Sequence, residues 1–142
     1  MKKVLKKLNF FLLIETQIDG DNLDEILKAI GLNKVIRTLA KTVKPRLVIE
    51  EKNGKWTFKN ESKIKTSSFE FTPDVEFEDS LPNGDKMTAT VHFDQNGKWI
   101  QNIRYQNGAQ MLVQRWINDK DQLENAMECG NLKANQVYKR VS

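Results

Sequence analysis

The sequence has little of the chemistry on which most enzymes and metalloproteins depend. Among its 142 residues there is one histidine, His92, and one cysteine, Cys129. A single cysteine excludes an intramolecular disulfide framework and fits a reducing compartment. One histidine and one distant cysteine cannot assemble a zinc cluster. Phosphate-binding glycine loops, dinucleotide fingerprints and serine elbows are also absent, so the sequence predicts no enzyme, no metal and no cofactor.

Long apolar runs and a large excess of one charge are absent as well. The formal net charge is +4, which favours anionic partners but is small for a nucleic-acid binder, so no nucleic acid is expected. The apolar run Phe10–Ile14 is too short to span a bilayer, and no signal cleavage site follows it. We expect one monomeric domain over residues 1–142 with a basic tail at 1–9, located in the cytoplasm, with the nucleus or secretion as alternatives.

Two short amphipathic helices are predicted between residues 22 and 44. The apolar residues of the first recur at i, i+3, i+4 and i+7, as Leu23, Ile26, Leu27 and Ile30. Asn22 and Glu25 have the spacing of a capping box at its start, and Gly31 follows its end. The second helix is expected from Lys34 to Val43, because Pro45 stops it.

Four cations share one side of the second predicted helix: Lys34, Arg37, Lys41 and Lys44. A run of charge on a helix is usually a solvated face. The functional alternative is transient contact with an anionic membrane surface.

After residue 46 the pattern changes to short strands separated by tight turns. Asn-Gly pairs, which favour two-residue hairpins, occur four times, at Asn53-Gly54, Asn83-Gly84, Asn96-Gly97 and Asn107-Gly108. The predicted strands are Leu47–Glu51, Lys55–Asn60, Lys63–Phe71, Val75–Phe77, Lys86–Phe93, Lys98–Tyr105, Gln110–Ile117, Gln122–Cys129 and Lys133–Val141, with another near residues 10–16. Because so long a meander tends to close and remove its edges, an all-β up-and-down barrel with an early helix pair is expected.

Five segments, in this order, carry a resemblance to a known family: Asn22–Leu32, Arg37 with Lys44-Pro45, Glu61–Lys65, Val75–Glu78 and Gln136–Arg140. Together they resemble the intracellular lipid-binding proteins, which include the fatty-acid-binding and cellular retinoid-binding proteins. The resemblance implies a ten-stranded antiparallel β-clam whose helix-turn-helix, over residues 22–44, lids an internal ligand cavity. The first strand is atypical, because Leu13–Gln17 lacks the family's glycine and aromatic residue.

The resemblance also implies a ligand head-group site at Arg115, Gln136 and Tyr138. Acid carriers of the family generally have Arg, Arg and Tyr at these places, and retinol carriers have Gln at the first two. Leu47 stands where retinol carriers keep a lysine. Because a guanidinium inside a barrel needs a counter-charge, the mixture favours a ligand acid over retinol.

The predicted function is therefore a non-enzymatic carrier of a long-chain fatty acid or a similar hydrophobic carboxylate. The ligand is expected to enter through a portal near Val35, Leu39 and Ile64. Two alternatives stay open: a retinoid carrier, and a membrane-apposing structural protein that acts through the basic helical lid.

Overall fold

The computed structural model describes residues 11–19, 22–42, 45–62 and 66–141. Within these ranges there are two helices, α1 (Leu23–Ala29) and α2 (Lys34–Thr42). The strands are β1 (Phe11–Asp19), β2 (Arg46–Lys52), β3 (Lys55–Glu61), β4 (Thr66–Phe71), β5 (Phe77–Ser80), β6 (Lys86–Phe93), β7 (Trp99–Tyr105), β8 (Gln110–Ile117), β9 (Gln122–Cys129) and β10 (Leu132–Val141). The predicted basic tail at residues 1–9 lies outside the described part of the chain.

All the described strands form one antiparallel sheet in the order β4-β3-β2-β1-β10-β9-β8-β7-β6-β5. Its two edge strands, β4 and β5, are neighbours in sequence but do not pair. The sheet curls so that their aromatic rings meet, with Phe77 of β5 stacked on Phe69 at 5.2 Å and on Phe71 at 5.8 Å between ring centroids. Side chains therefore bridge this gap where backbone hydrogen bonds do not, and the predicted clam is confirmed.

The Asn-Gly pairs lie where the pattern predicted them, in the turns that join consecutive strands. Asn53 and Gly54, between β2 and β3, both have positive φ, at 54° and 84°, which is the conformation that a tight hairpin turn requires. One predicted strand was misplaced. β5 is Phe77–Ser80 and not Val75–Phe77, because the chain is still turning at Asp74, whose φ is 69°, and Val75 is 54% exposed.

Helix α1 forms part of the core and does not lie loosely on it. Leu23 and Ile26 are buried with Ile30 and Leu32 against the inner faces of β6 to β10. The predicted capping box is not formed: Asn22 makes no side-chain cap, and its Nδ2 donates to the Lys133 carbonyl of β10 at 2.9 Å. This contact joins the start of α1 to the sheet.

Two loop asparagines hold the other end of α1. Asn107, in the β7–β8 turn, donates to the carbonyl of Ala29 at 3.0 Å, and Asn83, in the β5–β6 turn, donates to the carbonyl of Gly31 at 3.3 Å. Helix α1 is therefore tied to the sheet at both ends. Among the described helices, none has the length and apolar character needed to cross a bilayer.

Candidate functional site

Four strands contribute one residue each to a row across the inner face of the sheet. Arg115 of β8 is paired with Trp99 of β7 on one side and with Asn125 of β9 on the other, and Asn125 is paired in turn with Gln136 of β10. Directly opposed residues have Cβ atoms about 5 Å apart in antiparallel sheets. The register therefore sets a cation and two amides side by side, with an indole at the end of the row.

The Arg115 guanidinium lies between aromatic rings. Its Cζ is 4.5 Å from the ring centroid of Phe58 and 5.0 Å from that of Trp99. Within the described residues, Arg115 donates one hydrogen bond, from Nη1 to Oε1 of Gln101 at 2.9 Å, and its buried Nε has no partner. Among the described residues no carboxylate forms an ion pair with Arg115, so a buried cation is held without a counter-charge.

The electrostatics of Arg115 follow from this burial. Desolvation lowers its pKa to about 10, while the nearby hydroxyls of Tyr138 and Tyr105 act in the opposite direction. The guanidinium is still charged at neutral pH. Burial also raises the pKa of Tyr105 well above its ordinary value, so this hydroxyl stays protonated. The site is therefore cationic across the physiological range.

The amides and the tyrosine form a second hydrogen-bonded group next to Arg115. Oε1 of Gln136 accepts from Asn125 Nδ2 at 3.2 Å and from the Tyr138 hydroxyl at 3.2 Å. Asn125 is 5% exposed, and its buried Oδ1 has no partner in the described part of the chain. The structure thus places Arg115, Gln136 and Tyr138 in one polar cluster on the inner face.

Gln101 and Asn125 belong to this cluster, and the sequence reasoning missed both of them. The buried Oε1 of Gln101 accepts from Trp99 Nε1 at 3.1 Å as well as from Arg115, which fixes the orientation of both side chains. The signal was present in β7. Its alternating residues Trp99, Ile103 and Tyr105 are buried, so Gln101, in phase with them, had to point inward.

The chemistry of the polar cluster suits binding. Its members supply hydrogen-bond donors and amide oxygens, which recognise a polar head group. In the part of the chain that the structure describes, no three His, Cys, Asp or Glu side chains come together as metal ligands would.

The predicted portal is only partly described. Val35 is 69% and Leu39 42% exposed on α2, and Ile64 lies outside the described residues. Large apolar side chains on an exposed helix face fit an entrance, but the portal stays a prediction.

The four predicted cations of α2 are not equivalent. Arg37 is drawn inward, where its Nε is 3.1 Å from an Asp24 carboxylate oxygen and its Nη1 donates to the Leu32 carbonyl at 2.7 Å. Lys34 is exposed. Lys44 and the side chain of Lys41 lie outside the described residues. Contact with an anionic membrane stays a prediction.

The chain resembles known proteins in sequence and in fold. No protein-family model matches the chain. It is 27% identical over 125 residues to fatty acid-binding protein homolog 6 of Caenorhabditis elegans, covering 87% of this chain and 91% of that protein.

Two solved structures share the fold. The Schistosoma mansoni fatty acid binding protein in complex with arachidonic acid superposes with a TM-score of 0.85 at 21% identity, covering 98% of this chain and 99% of that one. Apo lipid binding protein 8 of C. elegans gives 0.83 at 22% identity, covering 96% and 97%.

Proposed function

We propose that the chain is a member of the intracellular lipid-binding protein family and a non-enzymatic cytoplasmic carrier of a long-chain fatty acid or a similar hydrophobic carboxylate. Its likeness to fatty-acid-binding proteins in sequence and fold supports this proposal. The observation that carries this proposal is Arg115. It is a buried cation with an unsatisfied Nε and no ion-pair partner among the described carboxylates. A ligand carboxylate would supply both the counter-charge and the missing acceptor.

The surroundings of the cation suit a head group attached to a long apolar tail. Phe58 and Trp99 flank the guanidinium, and apolar side chains such as Ile49, Val91 and Leu123 line the same core. Each methylene buried there contributes about 0.8 kcal/mol. The tail would therefore supply most of the affinity, while Arg115 would fix which end of the ligand points inward.

The choice of an acid over retinol has support from position 47. Leu47 is 3% exposed and belongs to the apolar core, so no amine stands there to meet an alcohol. A buried guanidinium gains more from a carboxylate than from a hydroxyl, because the carboxylate removes its uncompensated charge. Retinoic acid would satisfy the same requirement and remains the alternative ligand.

The test compares an acid with its own ester. Oleic acid and methyl oleate have the same tail, so calorimetry with the wild type and Arg115→Met separates the head group from the tail. We expect the variant to bind the acid about tenfold to a hundredfold more weakly, as for loss of a charged hydrogen bond, and the ester within about twofold.

The matched control is Arg104→Met, which changes an arginine on the outer face that pairs with Glu76 in solvent. This control should bind both ligands as the wild type does. Equal losses of acid and ester in Arg115→Met would contradict the proposed role of the guanidinium.

A further inference from the structure

Two of the four Asn-Gly turns hold helix α1 by the group that an Asn-Gly pair tends to lose. Asn107 Nδ2 donates to the Ala29 carbonyl at 3.0 Å, and Asn83 Nδ2 donates to the Gly31 carbonyl at 3.3 Å. Both asparagines are exposed. The C-terminal end of α1 is therefore tied to the sheet by side-chain amides that water can reach.

An asparagine followed by glycine can lose its side-chain amide without an enzyme, because glycine has no side chain to shield its backbone nitrogen. That nitrogen attacks the asparagine Cγ: a new N–Cγ bond forms, the Cγ–Nδ2 bond breaks, and ammonia leaves with the proton of the glycine N–H. Water then opens the cyclic imide and leaves aspartate or isoaspartate. The reaction replaces an amide that donates by a carboxylate that only accepts.

We propose that Asn83 and Asn107 are deamidation sites, and that conversion of either one loosens the C-terminal end of α1 in one direction only. At Asn107 the new carboxylate would face the Ala29 carbonyl in place of a donor. At Asn83 it would also face Asp85, whose Oδ2 now accepts from Nδ2 at 3.2 Å. Each conversion removes a hydrogen bond and adds negative charge beside a helix end that is already negative.

The folded chain protects both amides while α1 is docked. In addition to its bond with α1, each amide is held at its oxygen: Asn83 Oδ1 accepts from the Asp85 backbone N–H, and Asn107 Oδ1 from that of Ala109, both at 3.0 Å. The side chain must leave these partners before its Cγ can meet the glycine nitrogen. Conversion therefore depends on how often this end of α1 detaches, and it is not reversed when α1 docks again.

The other two Asn-Gly turns are controls within the same molecule. Asn53 and Asn96 are also exposed, but their side chains make no hydrogen bond within the described residues. In all four turns the glycine nitrogen donates a hydrogen bond. The two pairs of turns therefore differ at the side-chain amide and not at the attacking nitrogen.

The first measurement is the rate of deamidation at each turn of the purified full chain, without ligand, by peptide mass spectrometry after incubation in mildly alkaline buffer. The same incubation in guanidinium chloride gives the rates of the unfolded chain. The ratio of the unfolded rate to the native rate should be at least about tenfold larger at Asn83 and Asn107 than at Asn53 and Asn96, because only the first two must break contacts with α1.

The second measurement uses Asn107→Asp, which places the product at one turn, with Asn96→Asp as the matched control. Hydrogen exchange is followed at the amides of residues 30–32, which donate to carbonyls within α1. We expect these amides to exchange about tenfold faster in Asn107→Asp and at the wild-type rate in Asn96→Asp. Because Asn83 holds the same helix end, it should also deamidate faster in Asn107→Asp and not in the control.

Three results would overturn the inference. Equal protection of all four asparagines would show that α1 does not control the reaction. Wild-type exchange at residues 30–32 in Asn107→Asp would show that conversion does not loosen the helix end. No conversion of Asn83 or Asn107 in the native chain would exclude them as sites. The rates in the wild type decide even if Asn107→Asp fails to fold, and no ligand is present, so the outcome is independent of the proposed carrier function.

Discussion

Replacing Arg115 by methionine should make the ligand-free protein more stable, although we expect it to weaken binding of the proposed acid ligand. Arg115 has no ion-pair partner among the described residues, one hydrogen bond to Gln101, and a buried Nε without a partner. Methionine has a similar volume, is uncharged, and makes favourable contacts with aromatic rings such as Phe58 and Trp99. The substitution therefore removes an uncompensated charge without opening a large cavity.

The magnitude follows from the pKa of Arg115. Burial lowers this pKa to about 10, which corresponds to about 3 kcal/mol by which folding disfavours the charged form. Loss of the hydrogen bond to Gln101 offsets about 1.5 kcal/mol of that. Gln101 Oε1 is not left without a partner, because it still accepts from Trp99 Nε1. We expect a net gain of about 1.5 kcal/mol, or about 4 °C in Tm.

The pH dependence of this difference has a definite sign. The folded-state pKa of Arg115 is lower than its unfolded-state value, so below about pH 9 both states carry the charge and the full penalty is present. Above about pH 10 the folded state releases the proton first, and the wild type recovers stability. The advantage of Arg115→Met should be constant from about pH 6 to about pH 9 and shrink above that.

Urea unfolding with and without oleic acid measures both effects. At a ligand concentration of about a hundred times the wild-type Kd, the wild type gains about 2.7 kcal/mol, whereas a variant of tenfold weaker affinity gains about 1.4 kcal/mol. The ligand should therefore cancel the variant's advantage. The reasoning would be refuted if ligand-free Arg115→Met were less stable than the wild type by more than about 1 kcal/mol, with Arg104→Met unchanged.

Two further substitutions test the core and the lid. Trp99 is fully buried among other aromatic rings, so Trp99→Ala should lower the free energy of unfolding by about 3–5 kcal/mol in urea titrations. The control, Trp116→Ala on the half-buried outer face, should lower it by about 1 kcal/mol. Similar losses in the two variants would contradict the assigned core. Arg37 joins α2 to α1 through its ion pair with Asp24. Arg37→Ala should therefore speed ligand entry and release in stopped-flow experiments by about tenfold, with Kd changed less than about threefold. Lys34→Ala serves as the control, and unchanged rates in Arg37→Ala would show that the ion pair does not restrain ligand exchange.

The sequence was most informative about the sheet, because strand periodicity and Asn-Gly turns are local signals. It was least informative where a side chain has a choice of partners. Asn22 has the spacing of a capping residue, yet its amide binds the Lys133 carbonyl, which lies far along the chain. Val75 is apolar and near a turn, but Phe77 is the residue that packs against β4. Tertiary contacts decided both cases.

The residues of the polar cluster also differ in how far the sequence alone predicts them. A family resemblance was enough to predict that Arg115, Gln136 and Tyr138 lie together in one site. Asn125 could not be predicted in this way, since asparagine in a strand is usually solvated and only the register of β8, β9 and β10 brings it between Arg115 and Gln136. That register depends on the lengths of two turns and on the curl of the sheet. No single segment of the sequence contains this information.

The position of β1 in the sheet determines when folding can finish. β1 lies between β10 and β2, but among the described residues it shares only two residue pairs with β2, Phe11 with Ile49 and Leu12 with Val48. Its long partner is β10, where Asp19 pairs with Asn135 from the opposite end of the described chain. On a ribosome, β1 is synthesised before β10 and cannot pair with it until β10 has been made. Contacts so distant in sequence slow folding, so we expect docking of β1 to be the late step.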